Sequence, residues 1–150
     1  LGARLEAAIG DGTPWGVGIA WSREGEALET AGGIATALPL LGDAPFAAVN
    51  GDIHTDFDFA RLRTALAADA DAHLVLVDNP PHHPRGDFTL AGGRAGNAES
   101  PRLTFAGIGV YRPRLFAGVA PGTRARLAPL LRAAADRGAL AAERHGGTWT

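Results

Sequence analysis

Apolar and polar positions divide this chain into short runs separated by turns rich in glycine and proline. Residues 4–9 carry the end of a helical pattern, closed by Gly10-Asp11-Gly12. Residues 15–21 alternate small with large apolar side chains and predict a strand, and residues 22–26 are polar and predict a loop. A second helical stretch covers residues 35–41, opened by Gly32-Gly33 and broken by residues 42–45. The uncharged run Phe46-Ala47-Ala48-Val49 predicts a strand buried on both faces, as inside a parallel sheet, and ends in Asn50-Gly51-Asp52. Asp56 and Asp58 are candidate N-caps of a helix at 59–68, with Phe59, Leu62 and Leu66 as its apolar stripe and Arg61 and Arg63 on a solvated face.

Residues 73–78 form another strand-like run, again ending in an acid, Asp78. Strand, helix and strand in succession predict a right-handed crossover and a mostly parallel sheet. Residues 79–84 (Asn-Pro-Pro-His-His-Pro) form a stiff loop at the same sheet edge. Residues 86–90 with Gly92-Gly93 predict a short strand and a hairpin turn, and residues 95–101 a loop. Residues 103–111 read as a long strand with small residues on one side, 113–116 as one helical turn, and 127–137 as an amphipathic helix stopped by Gly138. A short strand follows at 140–143, and another begins at 146–150. The fold class is α/β, in one domain.

Composition narrows the function. At 150 residues the chain is long enough for one domain with a real core. A net charge of −2 gives no basic surplus, so a dedicated nucleic-acid-binding role is not expected. No apolar run is long enough to span a bilayer, no signal pattern opens the chain, and the expected compartment is the cytosol. With no cysteine there is no disulfide or thiolate chemistry, and with all 14 basic residues being arginine there is no lysine to form a Schiff base or hold a phosphate. Arginine still clamps phosphates bidentately. The chain lacks methionine, starts in mid-helix and stops in a nascent strand, which predicts a fragment.

An acid at the carboxyl end of a central strand stands where open α/β sheets bind ligands, and there it can hold Mg²⁺ against a phosphate. For Asp52 the competing reading is a plain Asn-Gly turn. Gly32-Gly33 at a helix entry either presents backbone N–H groups to an anion or only makes a tight entry. His82 and His83 have no second cluster at zinc-ligand spacing. Ser22 and Ser100 sit in polar loops and not in a nucleophile elbow. There is no P-loop or dinucleotide fingerprint, and Asp56 with Asp58 fits helix capping better than glycosidase chemistry. What remains is one mouth of the sheet, formed by Gly32-Gly33, Asp52 and the loops at 79–87 and 104–107.

These residues resemble a family. The run 25–34 (Gly-Glu-Ala-Leu-Glu-Thr-Ala-Gly-Gly-Ile), then Leu38-Pro39-Leu40-Leu41-Gly42 and residues 46–52, is similar to the sugar-1-phosphate nucleotidyltransferases. The similarity is greatest to the branch that acts on N-acetylmuramate 1-phosphate with UTP in cell-wall recycling. Residues 53–59, 74–83, 86–88, 103–110 and 147–150 match that branch in order and at similar spacing. The resemblance implies a Rossmann-like αβα three-layer fold. It also implies a reaction of UTP with a sugar 1-phosphate that gives a UDP-sugar and pyrophosphate. No protein nucleophile is needed, and catalysis is positioning plus charge neutralisation by Mg²⁺.

By this resemblance Asp52 is one of two metal-binding aspartates, and Glu29, Thr30, Ala31, Gly32 and Gly33 lie by the nucleobase. Asn50 orders the Asp52 loop, Gly86 and Asp87 bind the sugar, and Thr104 and Gly107 close that pocket. The family's first strand, its Gly-rich phosphate loop with following Arg and Lys, and its second metal aspartate have no counterpart in these residues. Removing that strand is expected to expose strand edges and apolar faces. Glu99-Ser100-Pro101-Arg102 stands near the position of a family Glu-Lys-Pro motif, without the lysine. Two alternatives remain open: another hexose 1-phosphate such as glucose or mannose, and a catalytically inactive nucleotide-sugar-binding module.

Overall fold

The computed structural model describes residues 2–99 and 101–150, so Ser100 lies outside the described residues. Its helices are α1 (Gly2–Ile9), α2 (Glu29–Leu41), α3 (Leu62–Ala65) and α4 (Leu127–Asp136). Its strands are β1 (Phe46–Val49), β2 (Ala72–Val77), β3 (Thr89–Ala91), β4 (Arg94–Gly96), β5 (Thr104–Tyr111) and β6 (Leu140–Arg144). Single 3-10 turns cover Thr13–Trp15, Phe59–Arg61 and Pro113–Phe116.

One six-stranded sheet has the order β1-β5-β2-β6-β4-β3. The period-2 alternation of side chains in β2 and β6 decides what each face packs against. Leu74, Leu76, Leu140 and Ala142 point to one face and bury Leu131 of α4, Ala31 and Ala35 of α2, and Phe116. Val75 and Val77 point to the other face, where Ile108 and Val110 join them beneath Phe57 and Leu62. Helical segments therefore cover both faces, which is the expected αβα layering. Buried among the first set, the Tyr111 phenol has its pKa pushed up by desolvation.

The pairing differs from the expected mostly parallel sheet. Among the described residues only β2 and β6 pair in parallel; β5 is antiparallel to both β1 and β2, and β4 is antiparallel to both β3 and β6. β1 and β2 do run the same way, but β5 lies between them. Gly107 and Gly109 lack the bulk that would hold flanking strands and side chains away from β5.

Three further elements depart from the sequence pattern. Residues 15–21 do not form a strand: Gly16 takes φ 70°, and Trp15 and Val17 are exposed. Local bonds hold that segment, with the Ile19 N–H on the Asp11 carbonyl at 2.8 Å and the Trp21 indole N–H on Gly10 at 2.9 Å. β1 is not buried on both faces; it is the sheet edge, and Val49 is 44% exposed. An apolar run records what a strand can bury, not whether a neighbour is there to bury it. The helix expected at 59–68 is a 3-10 turn followed by one turn of α-helix, capped by Asp58, whose side chain accepts from the Ala60 N–H at 3.0 Å. Arg61 does not point freely outward. It pairs with Glu143 and lies over the Phe57 ring.

Candidate active site

The turn after β1 carries Asn50 and Asp52, and both of its ends are tied. The Asn50 N–H donates to the Gly107 carbonyl at 2.8 Å. On the other side, the His54 N–H donates to Thr150 at 2.8 Å and the Thr150 N–H returns to His54 at 3.0 Å. Gly107 is needed where it stands: its φ is 75°, and a Cβ there would lie 2.6 Å from Asn50 Nδ2. The β2–β5 register slips at this point, since Leu74 pairs with Gly109 while Leu76 pairs with Phe105. Irregularities of this kind commonly re-aim a strand beside a site. Asp52 is exposed and lines a cavity of about 490 Å³ with Asn50, Ile53, Pro81, His82 and Trp149.

Asp87 is held by both carboxylate oxygens. One accepts the Phe105 N–H at 2.8 Å, and the other lies 3.1 Å from His83 Nε2. Gly86 has φ 60°, and a Cβ there would come within 2.6 Å of Asn79 Oδ1 and 2.9 Å of the Leu103 carbonyl. Thr104 is buried behind this loop and donates its hydroxyl to Asn79 Oδ1 at 2.9 Å. Asn79 in turn donates to the carbonyls of Pro84 at 3.1 Å and Arg102 at 3.0 Å. Asn79 therefore binds the stiff loop to β5, a role the sequence reading missed. Its signal was an amide between a strand end and Pro80-Pro81.

At the start of α2, Glu29 takes φ 60°, a left-handed conformation uncommon for a residue with a side chain. Its carboxylate lies 3.0 Å from Arg124 and 3.8 Å from Arg126. The N–H groups of Ala31 and Gly32 do not face open space; both donate to the Ala125 carbonyl, at 3.0 and 3.1 Å. A Cβ on Gly32 would lie 2.2 Å from the Thr123 carbonyl, and one on Gly33 would lie 2.5 Å from Glu24 Oε1. Close backbone approach accounts for Gly32, whereas Gly33 faces the Glu24 side chain; both lie inside α2 and do not open a helix at residue 35 as expected.

Glu29 and Thr30 line a second cavity, of about 300 Å³, together with Asn50, Asp87, Arg126 and Arg132. Asn50 lines both cavities. The fold thus brings Glu29, Thr30, Asn50, Asp52 and Asp87 onto one rim. Ala31, Gly32, Gly86, Thr104 and Gly107 are buried, Gly33 is half-buried, and none of the six lines either cavity. Arg126 and Arg132, whose charges suit an anionic ligand, gave no distinguishing signal in the sequence.

Among the described residues no three His, Cys, Asp or Glu side chains cluster to hold a metal. Asp52 is the carboxylate on its cavity. Mg²⁺ keeps several waters and shares its shell with substrate phosphates, so one or two protein carboxylates suffice. Asp52 fits a Mg²⁺ that arrives with a nucleotide and does not fit a closed protein cage. Asp56, expected as a cap, instead lies 2.8 Å from His145 Nε2. A hydrogen bond from the Thr148 backbone, and then the His145 partner, hold its pKa below the usual carboxylate value.

No family model matches the chain. It is 49% identical over 156 residues to the N-acetylmuramate alpha-1-phosphate uridylyltransferase of Neisseria meningitidis serogroup B (strain ATCC BAA-335 / MC58), a match covering 99% of this chain and 68% of that protein. The chain belongs to the sugar-1-phosphate nucleotidyltransferase family.

Solved structures carry the same fold. A Bacillus anthracis protein assigned as a glucose-1-phosphate thymidylyltransferase, solved with sucrose, superposes with a TM-score of 0.80 at 17% identity. HddC from Yersinia pseudotuberculosis complexed with GMP-PN gives a TM-score of 0.75 at 14% identity, over 99% of this chain and 68% of that one. At such low identities these likenesses establish the nucleotidyltransferase fold and nothing finer. The chain covers 99% of its own length in the Bacillus match but spans only 65% of that structure. No helix among the described residues is long and apolar enough to cross a membrane.

Proposed function

We propose that the protein carrying this chain transfers a uridylyl group from UTP to N-acetylmuramate 1-phosphate, giving UDP-N-acetylmuramate and pyrophosphate. The observation that carries this reading is the 49% identity, over 99% of the chain, to an enzyme named for that reaction. The five candidate residues gathered along one rim support it.

A sugar-phosphate oxygen attacks the α-phosphorus of UTP in line. The new P–O bond forms as the bond to the β-phosphate's bridging oxygen breaks, and pyrophosphate leaves with that electron pair. The side chains therefore position the reactants and supply no nucleophile. Glu29 and Thr30 sit beside the nucleobase, with Ala31, Gly32 and Gly33 fixing the backbone behind them. Asp87, presented by Gly86, takes sugar hydroxyls. Thr104 and Gly107 keep the floor of the sugar pocket in place, and Asn50 orders the turn that carries Asp52. Asp52 would hold the Mg²⁺, which would supply charge neutralisation on the phosphates. The expected setting is the cytoplasm, in peptidoglycan recycling.

The test presents the full-length protein with UTP or other nucleoside triphosphates, each against N-acetylmuramate, glucose, mannose and glucosamine 1-phosphates, and follows pyrophosphate release. Highest turnover is expected for UTP with the muramate phosphate. Preference for another sugar would replace the substrate, and no release from any pair would leave a binding module.

A further inference from the structure

The Asp52 turn is flanked by a segment that the proposed roles leave out. Residues 145–150 run beside the Asp52 turn and are fixed to it by the Thr150–His54 pair of backbone bonds and by the Asp56 N–H on the Thr148 carbonyl at 3.3 Å. Two side chains of that segment reach across: His145, on Asp56, and Trp149. Trp149 is half-buried against the sheet-face cluster, and its indole N–H donates to the Ala106 carbonyl at 2.9 Å. Ala106 is fully buried and adjoins Gly107, whose own carbonyl takes the Asn50 N–H. The two anchors of the Asp52 turn, Gly107 before it and Thr150 after it, therefore meet at one indole. Trp149 also lines the Asp52 cavity itself.

We propose that Trp149 is a positioning residue for Asp52: its indole N–H fixes the Ala106–Gly107 peptide against the 149–150 segment, so that both ends of the turn keep one spacing. A ring that only filled this space could be phenylalanine, which has no N–H to place. An indole on a carbonyl in an irregular stretch of strand, one residue from the Asn50 anchor, holds the geometry of that stretch. Outer-shell partners of this kind set the position of the group that works on the substrate. The kinetic consequence rests on the nucleotidyltransferase reading; the effect on the turn does not.

The variant is Trp149→Phe in the full-length protein, which keeps a ring of similar reach and removes the N–H. Two readouts are taken. Amide hydrogen exchange at Asn50 and His54 is expected to quicken about 10-fold, the equivalent of one lost buried hydrogen bond, while amides of α4 keep the wild-type rate. In the uridylyl-transfer assay kcat is expected to fall roughly 10- to 100-fold with KM for UTP unchanged. Unchanged exchange at Asn50 and His54 would overturn the proposal, as would quickening spread equally over α4. A Trp149→Phe protein that fails to fold would do the same, because Trp149 would then be a core residue. Wild-type kcat beside altered exchange would also overturn it, by showing that the turn's position does not matter to turnover. If the wild-type protein itself turns over no substrate, the uridylyltransferase reading fails, and the exchange experiment still decides whether Trp149 holds the turn.

Discussion

Replacing Gly107 by alanine places a methyl group where Asn50 already sits. Gly107 has φ 75°, and an L-residue in that left-handed region costs roughly 1–2 kcal/mol. The new Cβ would lie 2.6 Å from Nδ2, 2.7 Å from Cγ and 3.0 Å from Cβ of Asn50. Relieving that overlap adds about 1–3 kcal/mol, the usual range for overpacking. Together the two terms come to about 2–5 kcal/mol, a large part of a domain's ordinary stability. Asn50→Ala removes Nδ2 and Cγ but leaves the contact at 3.0 Å, so the double variant recovers most of the overlap cost and none of the backbone cost. The measurement is urea unfolding of wild type, both single variants and the double variant, compared at constant m. A coupling of about 1–3 kcal/mol in the restoring direction is expected. Additivity to within about 0.5 kcal/mol would refute the reasoning, since it would mean that Gly107 and Asn50 do not share the space assigned to them.

Other substitutions test separate parts of the structure. Asp52→Asn should lower turnover at least about 100-fold with an unchanged melting temperature, because the side chain is exposed and isosteric; equal turnover would remove its metal role. Gly32→Ala drives a Cβ to 2.2 Å from the Thr123 carbonyl, and should destabilise by about 3 kcal/mol or more in thermal unfolding.

Asp71 gives a pH dependence. Burial raises its pKa, but hydrogen bonds and charge from Arg114, with Nε at 2.6 Å, and Arg137, with Nη2 at 3.1 Å, outweigh burial and hold it low. A carboxyl whose folded pKa is depressed gives stability that is complete above its unfolded pKa, near about 4, and lost as pH falls through the folded value. Urea midpoints should therefore fall below about pH 4, and Asp71→Asn should flatten that slope. An equally steep acid limb in the variant would assign the loss to other carboxylates.

Much of the architecture was legible where local pattern and tertiary role agree. β2, β5, α4 and the Pro113–Phe116 turn stand within a residue of the expected bounds. Each carries its own apolar face and stop signal, such as Gly138 after α4. Partners were less legible. Nothing local in Thr104–Tyr111 says that it lies between β1 and β2, and nothing in Phe46–Val49 says that its outer edge is exposed. Residues 15–21 show the same limit in reverse, as alternation without a neighbour to pair with.

At the candidate site, the turn that carries Asp52 was legible because Asn-Gly at the end of an apolar run marks a turn. Gly32 was not assignable, since a glycine needed for backbone contact at Thr123 looks the same in sequence as one needed for a ligand. Asn79 and Trp149 were hidden because their partners, Thr104 and Ala106, lie 25 and 43 residues away.

The most direct measurement of the central claim is the product of one reaction: the full-length protein with UTP, N-acetylmuramate 1-phosphate and Mg²⁺, resolved by mass spectrometry alongside a pyrophosphate assay. UDP-N-acetylmuramate and pyrophosphate should form in equal amounts. A nucleotide-sugar formed only from a different sugar phosphate, or neither product from any, would contradict the proposed activity.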